Sequence, residues 1–171
     1  MSPAGGMPGD SQEDMDEFAD AEWVTPAQMP DGSWSVTLDP ATADLDFGTD
    51  YAIYTWQAHT HSNPSQDTET PVAIDWAKLK ATVALKVVLA KKPTTTKGGK
   101  LAVDAGDATG KVTARLTKAG KAGPSRTARL RGGDATVALP KLATGRWKVT
   151  VRYAGDEQHR ADVASLSFRV R

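Results

Sequence analysis

The stretch Gly145-Arg146-Trp147-Lys148-Val149-Thr150-Val151-Arg152-Tyr153-Ala154-Gly155-Asp156 decides how the chain is read. Trp147, Val149, Val151 and Tyr153 alternate strictly with Arg146, Lys148, Thr150 and Arg152. Successive side chains of a strand point to opposite faces, so the apolar set faces a core and the polar set faces water. Gly155-Asp156 supplies turn chemistry at the strand's end. Residues 161–171 return with the same period, Ala164, Leu166, Phe168 and Val170 opposing Ser165, Ser167, Arg169 and Arg171. Two such runs joined by a turn predict the closing hairpin of an antiparallel sandwich.

Outward from that hairpin the same period recurs. Val83/Leu85/Val87/Leu89, Leu101/Val103/Ala105, Val112/Ala114/Leu116, Ala128/Leu130 and Ala135/Val137/Leu139 each alternate with polar or small residues. Between them lie loop and turn signals: residues 91–99, Gly106-Asp107 with Gly110, the segment Lys118 to Gly123, and Gly132-Gly133-Asp134. Seven short strands at this spacing predict an immunoglobulin-like antiparallel β-sandwich over residues 77–171.

The first half reads differently. Residues 1–21 are Gly, Pro, Ser and acid, a composition too poor in apolar surface to offset its ordering entropy, and they are expected to form a disordered acidic tail. The acids lack the spacing of a calcium loop. Residues 22–76 hold four of the five Trp: Trp23, Trp34, Trp56 and Trp76. Trp34/Val36/Leu38, the run Tyr51 to His59, and Pro71 to Trp76 predict three strands, with a polar loop at residues 61–67. Three strands rarely close a sandwich. This segment is therefore expected to be a partial, truncated β module whose first strands lie upstream and whose apolar sheet face needs cover. The chain as a whole is predicted all-β.

Charge marks the boundary. Residues 1–76 carry 15 Asp plus Glu and no Lys or Arg, a net −15, whereas residues 77–171 carry all 21 Lys plus Arg against 6 Asp plus Glu, a net +15. No apolar run approaches the length of a membrane-spanning helix, and the N-terminus lacks the basic start and apolar core of a signal peptide. With no cysteine, disulfide frameworks, thiol nucleophiles and thiolate metal sites are excluded together.

The run Gly133-x-Ala135-x-Val137-x-Leu139-Pro140-x-Leu142-x-x-Gly145-x-Trp147-x-Val149-x-Val151-x-Tyr153-x-Gly155-Asp156 resembles the second half of the bacterial immunoglobulin-like repeat. That repeat typically reads Leu-Pro-x-Gly, an alternating strand, then Tyr-x-Gly-Asp. The resemblance covers residues 80–171 and implies a stalk, spacer or adhesin module of a surface or secreted protein. The chain departs from it at Glu157-Gln158-His159-Arg160, where the family often has an aromatic. The earlier run Asp31-Gly-Ser-Trp34-Ser-Val36, Tyr54-Thr-Trp56-x-Ala58-His59 and Ser65-Gln66-Asp67-Thr68-x-Thr70-Pro71-Val72 is similar to small β modules of actinobacterial surface proteins. Those modules accompany haem-transport-associated (HtaA-type) domains, and no haem ligand is carried over from them. Together the resemblances imply an extracellular or cell-wall location, with the true start upstream of residue 1.

Chemistry-bearing clusters are few. No nucleophile elbow surrounds any Ser and no nucleophile is placed beside a base, so no enzyme is expected. His59 and His61, two apart on a strand, share a face and are the candidate metal ligands. By alternation Tyr51 and Ile53 extend that stripe, which suits haem better than zinc. The bland reading makes both His solvated strand-end residues, with no cofactor. Loop lysines (Lys91, Lys92, Lys97, Lys100, Lys118, Lys121) lack the aromatics that single-stranded nucleic acids need. Specific nucleic-acid binding is therefore not expected, whereas anionic wall polymers suit plain electrostatics. Further partners would be upstream domains of the same protein or other surface proteins. The expected function is a non-catalytic spacer or adhesin-type module, the alternatives being an accessory of haem or metal acquisition and an accessory domain of a secreted enzyme. No ligand-binding residue is identified.

Overall fold

The structure, a computed structural model, describes residues 1–6, 16–57 and 64–171. It divides into two compact units, residues 1–79 and 80–171. The charge boundary at residues 76/77 lies three residues before that division, because Trp76–Leu79 forms a single helical turn that belongs with the first unit.

In the first unit, strands β1 (Ser2–Pro3), β2 (Tyr51–Thr55) and β3 (Thr68–Val72) form an antiparallel sheet in the order β1-β2-β3. Of the expected disordered tail, residues 7–15 lie outside the described residues, and its first residues form a short strand. Ser2 and Pro3 pair with Ala52 and Tyr51, the Ala4 N–H donates to the Asp50 carbonyl at 2.8 Å, and the Gly5 N–H donates to the Tyr54 hydroxyl at 3.2 Å. Composition averages over a segment, whereas these bonds need only a few residues and an open strand edge. The predicted strand at Trp34–Leu38 does not form. Its alternation specified two faces but no partner, and Trp34 and Val36 stand exposed. The last predicted strand, Pro71 to Trp76, begins earlier, at Thr68, and Trp76 opens the helical turn. The unit's small core is Tyr51, Ala52 and Tyr54, with Trp76 against Tyr51 at 6.2 Å and against Phe47 at 5.2 Å between ring centres.

The second unit contains seven strands: β4 (Lys86–Lys91), β5 (Gly99–Asp104), β6 (Lys111–Lys118), β7 (Lys121–Arg129), β8 (Asp134–Leu139), β9 (Gly145–Tyr153) and β10 (Asp162–Val170). They form two antiparallel sheets, β4-β5-β8 and β10-β9-β6-β7. This is an immunoglobulin-like sandwich in which the fourth strand sits on the sheet of the last two rather than beside the first two. Between the sheets lie Leu101, Val103, Ala135, Val137 and Leu139 from one side and Val112, Ala114, Leu116, Trp147, Val149, Val151, Tyr153, Phe168 and Val170 from the other, all buried. Each fully buried Val or Leu among them contributes about 1.5–3 kcal/mol. Ala164 and Leu166 pack on the core only partly, as befits the edge strand β10.

Two turns explain how the strands are spaced. The turn expected over Lys118 to Gly123 is tighter than that segment: Ala119 and Gly120 (φ 49° and 78°) close a two-residue hairpin, with Lys118 already paired to Lys121. Between Arg131 and Asp134 the same device uses Gly132 and Gly133 (φ 56° and 78°). A Cβ on Gly133 would overlap the Gly106 carbonyl oxygen, so no other residue fits there.

Candidate functional site

The most developed polar cluster among the described residues lies at the β9–β10 corner. Strand β9 ends at Tyr153, Gly155 takes φ 90°, and the chain folds back so that the Asp156 N–H donates to the His159 carbonyl at 3.1 Å. The Asp156 carboxylate then gathers the corner around itself. Its Oδ1 accepts from the backbone N–H of Gln158 (3.0 Å) and of His159 (2.7 Å), and lies 2.9 Å from His159 Nδ1. Its Oδ2 accepts from the Thr109 N–H and the Thr109 hydroxyl, both at 2.9 Å, tying the corner to the β5–β6 loop. An anionic acceptor facing several donors at once is the strong case for hydrogen bonding.

His159 is buried, its side chain only 8% exposed, and its Nε2 lies 3.0 Å from Oδ1 of the exposed Asp107. Both ring nitrogens thus face carboxylates. A neutral ring donates to one of them, a protonated ring to both.

These contacts set the local electrostatics. Burial alone would raise the Asp156 carboxyl, but the Thr109 N–H, the Tyr153 hydroxyl, the Thr109 hydroxyl and His159 outweigh it and hold the group well below the ordinary carboxylate range. Burial, and next the Asp156 carboxylate, push the Tyr153 phenol well above its usual value. The Tyr153 hydroxyl faces Asp156 without completing a full hydrogen bond.

The chain entering the unit docks on this corner. The Ala81 N–H donates to the Gln158 carbonyl and the Arg160 N–H to the Ala81 carbonyl, both at 2.8 Å, as a parallel bridge. Lys80 Nζ donates to the Asp156 carbonyl at 2.6 Å, and the Leu85 N–H donates to Asp162 Oδ2 at 2.9 Å. A shallow, open depression lies over Lys80, Thr109 and residues 154–161. Every acceptor lone pair that the Asp156 carboxylate turns inward is already engaged by the protein. These bonds tie the end of β9, the turn and the β5–β6 loop together, the structural arrangement expected for Tyr153-x-Gly155-Asp156.

The candidate metal ligands His59 and His61 lie outside the described residues. Among the described residues no group of three or more His, Cys, Asp or Glu could hold a metal ion. The stripe expected beside them divides: Tyr51 is buried and its hydroxyl accepts from the Asp46 N–H at 3.0 Å, whereas Ile53 is exposed. The phenol is thus engaged inside the unit. No local sequence pattern points to Thr109 or Lys80 as corner residues. The spacing Asp156-x-x-His159 was the available signal, since an Asp accepting from N–H groups two and three residues on is a common way to close a turn.

No helix among the described residues is long and apolar enough to cross a membrane. Compared with protein-family models, with characterised proteins and with solved structures, the chain gives no match.

Proposed function

We propose that this chain is a non-catalytic structural and interaction module, a spacer or adhesin-type immunoglobulin-like unit of a bacterial surface or secreted protein. The observation that supports it most is where the sandwich is entered and left. Ala81 is stapled to His159 at the corner end, where Tyr153 pairs with Asp162. Val170 leaves at the far end of the same hairpin, opposite Gly145. Eight residue steps along β9 separate the two ends, roughly 27 Å at the rise of a strand.

A unit entered at one end and left at the other can be joined in series. Tension applied at its two ends pulls the parallel bridge at Ala81 in shear, so its hydrogen bonds are loaded together rather than one at a time. An extracellular or wall-associated location, neighbouring domains and anionic polymers as partners belong to the same reading.

The test is single-molecule stretching of a tandem array of residues 80–171, held through the ends of each unit. Each unit should give one rupture, with a contour gain of roughly 300 Å for 92 residues at the extended reach per residue. Extension without a rupture event contradicts the spacer reading.

A further inference from the structure

The outer face of the β10-β9-β6-β7 sheet is a field of cations and hydroxyls without a single carboxylate. Strand register places the residues row by row. On β10 stand Val163, Ser165, Ser167 and Arg169, opposite Arg152, Thr150, Lys148 and Arg146 of β9. On β6, Thr113, Arg115 and Thr117 stand opposite Arg152, Thr150 and Lys148. On β7, Arg129, Thr127 and Ser125 stand opposite Lys111, Thr113 and Arg115. Seven cations share this face: Lys111, Arg115, Arg129, Arg146, Lys148, Arg152 and Arg169. All seven are exposed. At its centre Arg115 sits across from Thr150, which Lys148 and Arg152 flank on β9.

The other sheet shows that this is not a necessary consequence of a basic domain. Its outer face mixes Lys86 and Lys100 with Asp104 and Asp134, and Lys86 pairs with Asp104 at 3.4 Å. Neighbouring strands lie about 4.8 Å apart and same-face residues about 6.8 Å apart along a strand, so each cation of the four-stranded face stands within about one Debye length of its nearest like-charged neighbour. Like charges at that spacing repel, and a bound polyanion relieves the repulsion while releasing its own counterions.

We infer that this face is a docking surface for a linear phosphate polymer that carries no bases. The inference rests on the interaction-module reading and names its partner. Three features select the occupant. Five of the seven cations are Arg, whose planar fork matches phosphate oxygens, and the interleaved Ser and Thr add neutral donors. The face has no aromatic on which a base could stack, which disfavours single-stranded nucleic acid. Its one large apolar residue, Val163, lies on the edge strand, so it lacks the desolvated apolar centre that a protein partner or a second copy of this chain would need. The loop lysines singled out in the sequence are not part of this field.

The experiment titrates the full chain with long-chain inorganic polyphosphate across a range of salt concentrations, beside two triple variants that remove equal charge. Arg115→Ser/Lys148→Ser/Arg152→Ser should weaken binding roughly tenfold or more at low salt and reduce the log–log salt slope by about 2, at ~0.7 for each phosphate no longer neutralised. Lys91→Ser/Lys92→Ser/Lys97→Ser should leave both nearly unchanged. Circular dichroism melts should show both variants as stable as wild type. Equal losses in the two variants, or no binding by wild type at low salt, overturn the assignment. So does markedly tighter binding of oligothymidylate of matched charge, or salt-sensitive self-association in sedimentation with polyphosphate ignored. Any of these with the rupture behaviour of the tandem array intact removes the surface and leaves the spacer standing.

Discussion

Removing the Asp156 carboxylate should unlatch the corner that closes the sandwich. In Asp156→Ala, the N–H groups of Thr109, Gln158 and His159, the Thr109 hydroxyl and the His159 ring all lose the acceptor they now share. A hydrogen bond to a charged group contributes about 1.5–3 kcal/mol, but these act as one unit and water replaces some of them, so their sum overstates the effect. A total loss of about 3 kcal/mol is expected, which lowers the melting temperature by roughly 12–24 °C for a domain of this size. Asp156→Asn keeps one acceptor oxygen and should fall between, near 1–2 kcal/mol by the same reasoning.

The pH dependence gives an independent sign. The Asp156 carboxyl is held below its ordinary value in the folded chain. Its ionised form therefore contributes stability that is complete above the unfolded value of about 3.9 and is lost as the pH falls through the folded one. The Asn variant lacks that group, so the gap between wild type and Asp156→Asn should narrow below about pH 4. Chemical denaturation of residues 80–171 at neutral and acid pH measures both. A loss under about 1 kcal/mol for Asp156→Ala, or a gap that widens on acidification, refutes the corner's role as a latch.

Other outcomes follow from the same geometry. Trp147→Ala should destabilise the sandwich by about 3–5 kcal/mol, because the indole is buried, donates Nε1–H to the Ala143 carbonyl at 2.9 Å and lies under Lys118; denaturant titration checks it, and a loss below about 1 kcal/mol would place the ring in water. Zinc and haem titrations of wild type beside the His59→Ala/His61→Ala variant should give equal, weak binding; tight binding lost in the variant and weakened steeply below about pH 6 would favour metal or haem acquisition instead.

How much of this was legible in sequence follows from what each pattern specifies. Strict alternation at Trp147 to Tyr153 and Val112 to Leu116 specified which side chains go inside, and with turn signals between runs it gave the seven strands. It did not specify partners. That is why Trp34–Leu38, with equally clean alternation, forms no strand, and why the placement of β7 beside β6 had to come from the Ala119-Gly120 turn. The N-terminal Ser2–Pro3 pairing was hidden because composition averages over a whole segment. At the corner, Tyr153, Gly155 and Asp156 were readable as a turn, but Thr109 and Lys80 are 47 and 76 residues from Asp156 and no local pattern announces them. The acid-free face was invisible for a related reason: its cations come from four strands, and only their register brings them onto one surface.

Residues 80–171 should fold as a self-sufficient sandwich, and the most direct test is the melting of that fragment beside the whole chain. Single domains of this size usually unfold in one cooperative step. The fragment should show a dispersed amide spectrum, β-type circular dichroism and one cooperative transition, lowered by Asp156→Ala. A broad, non-cooperative melt with a collapsed amide spectrum would contradict an independently folded sandwich.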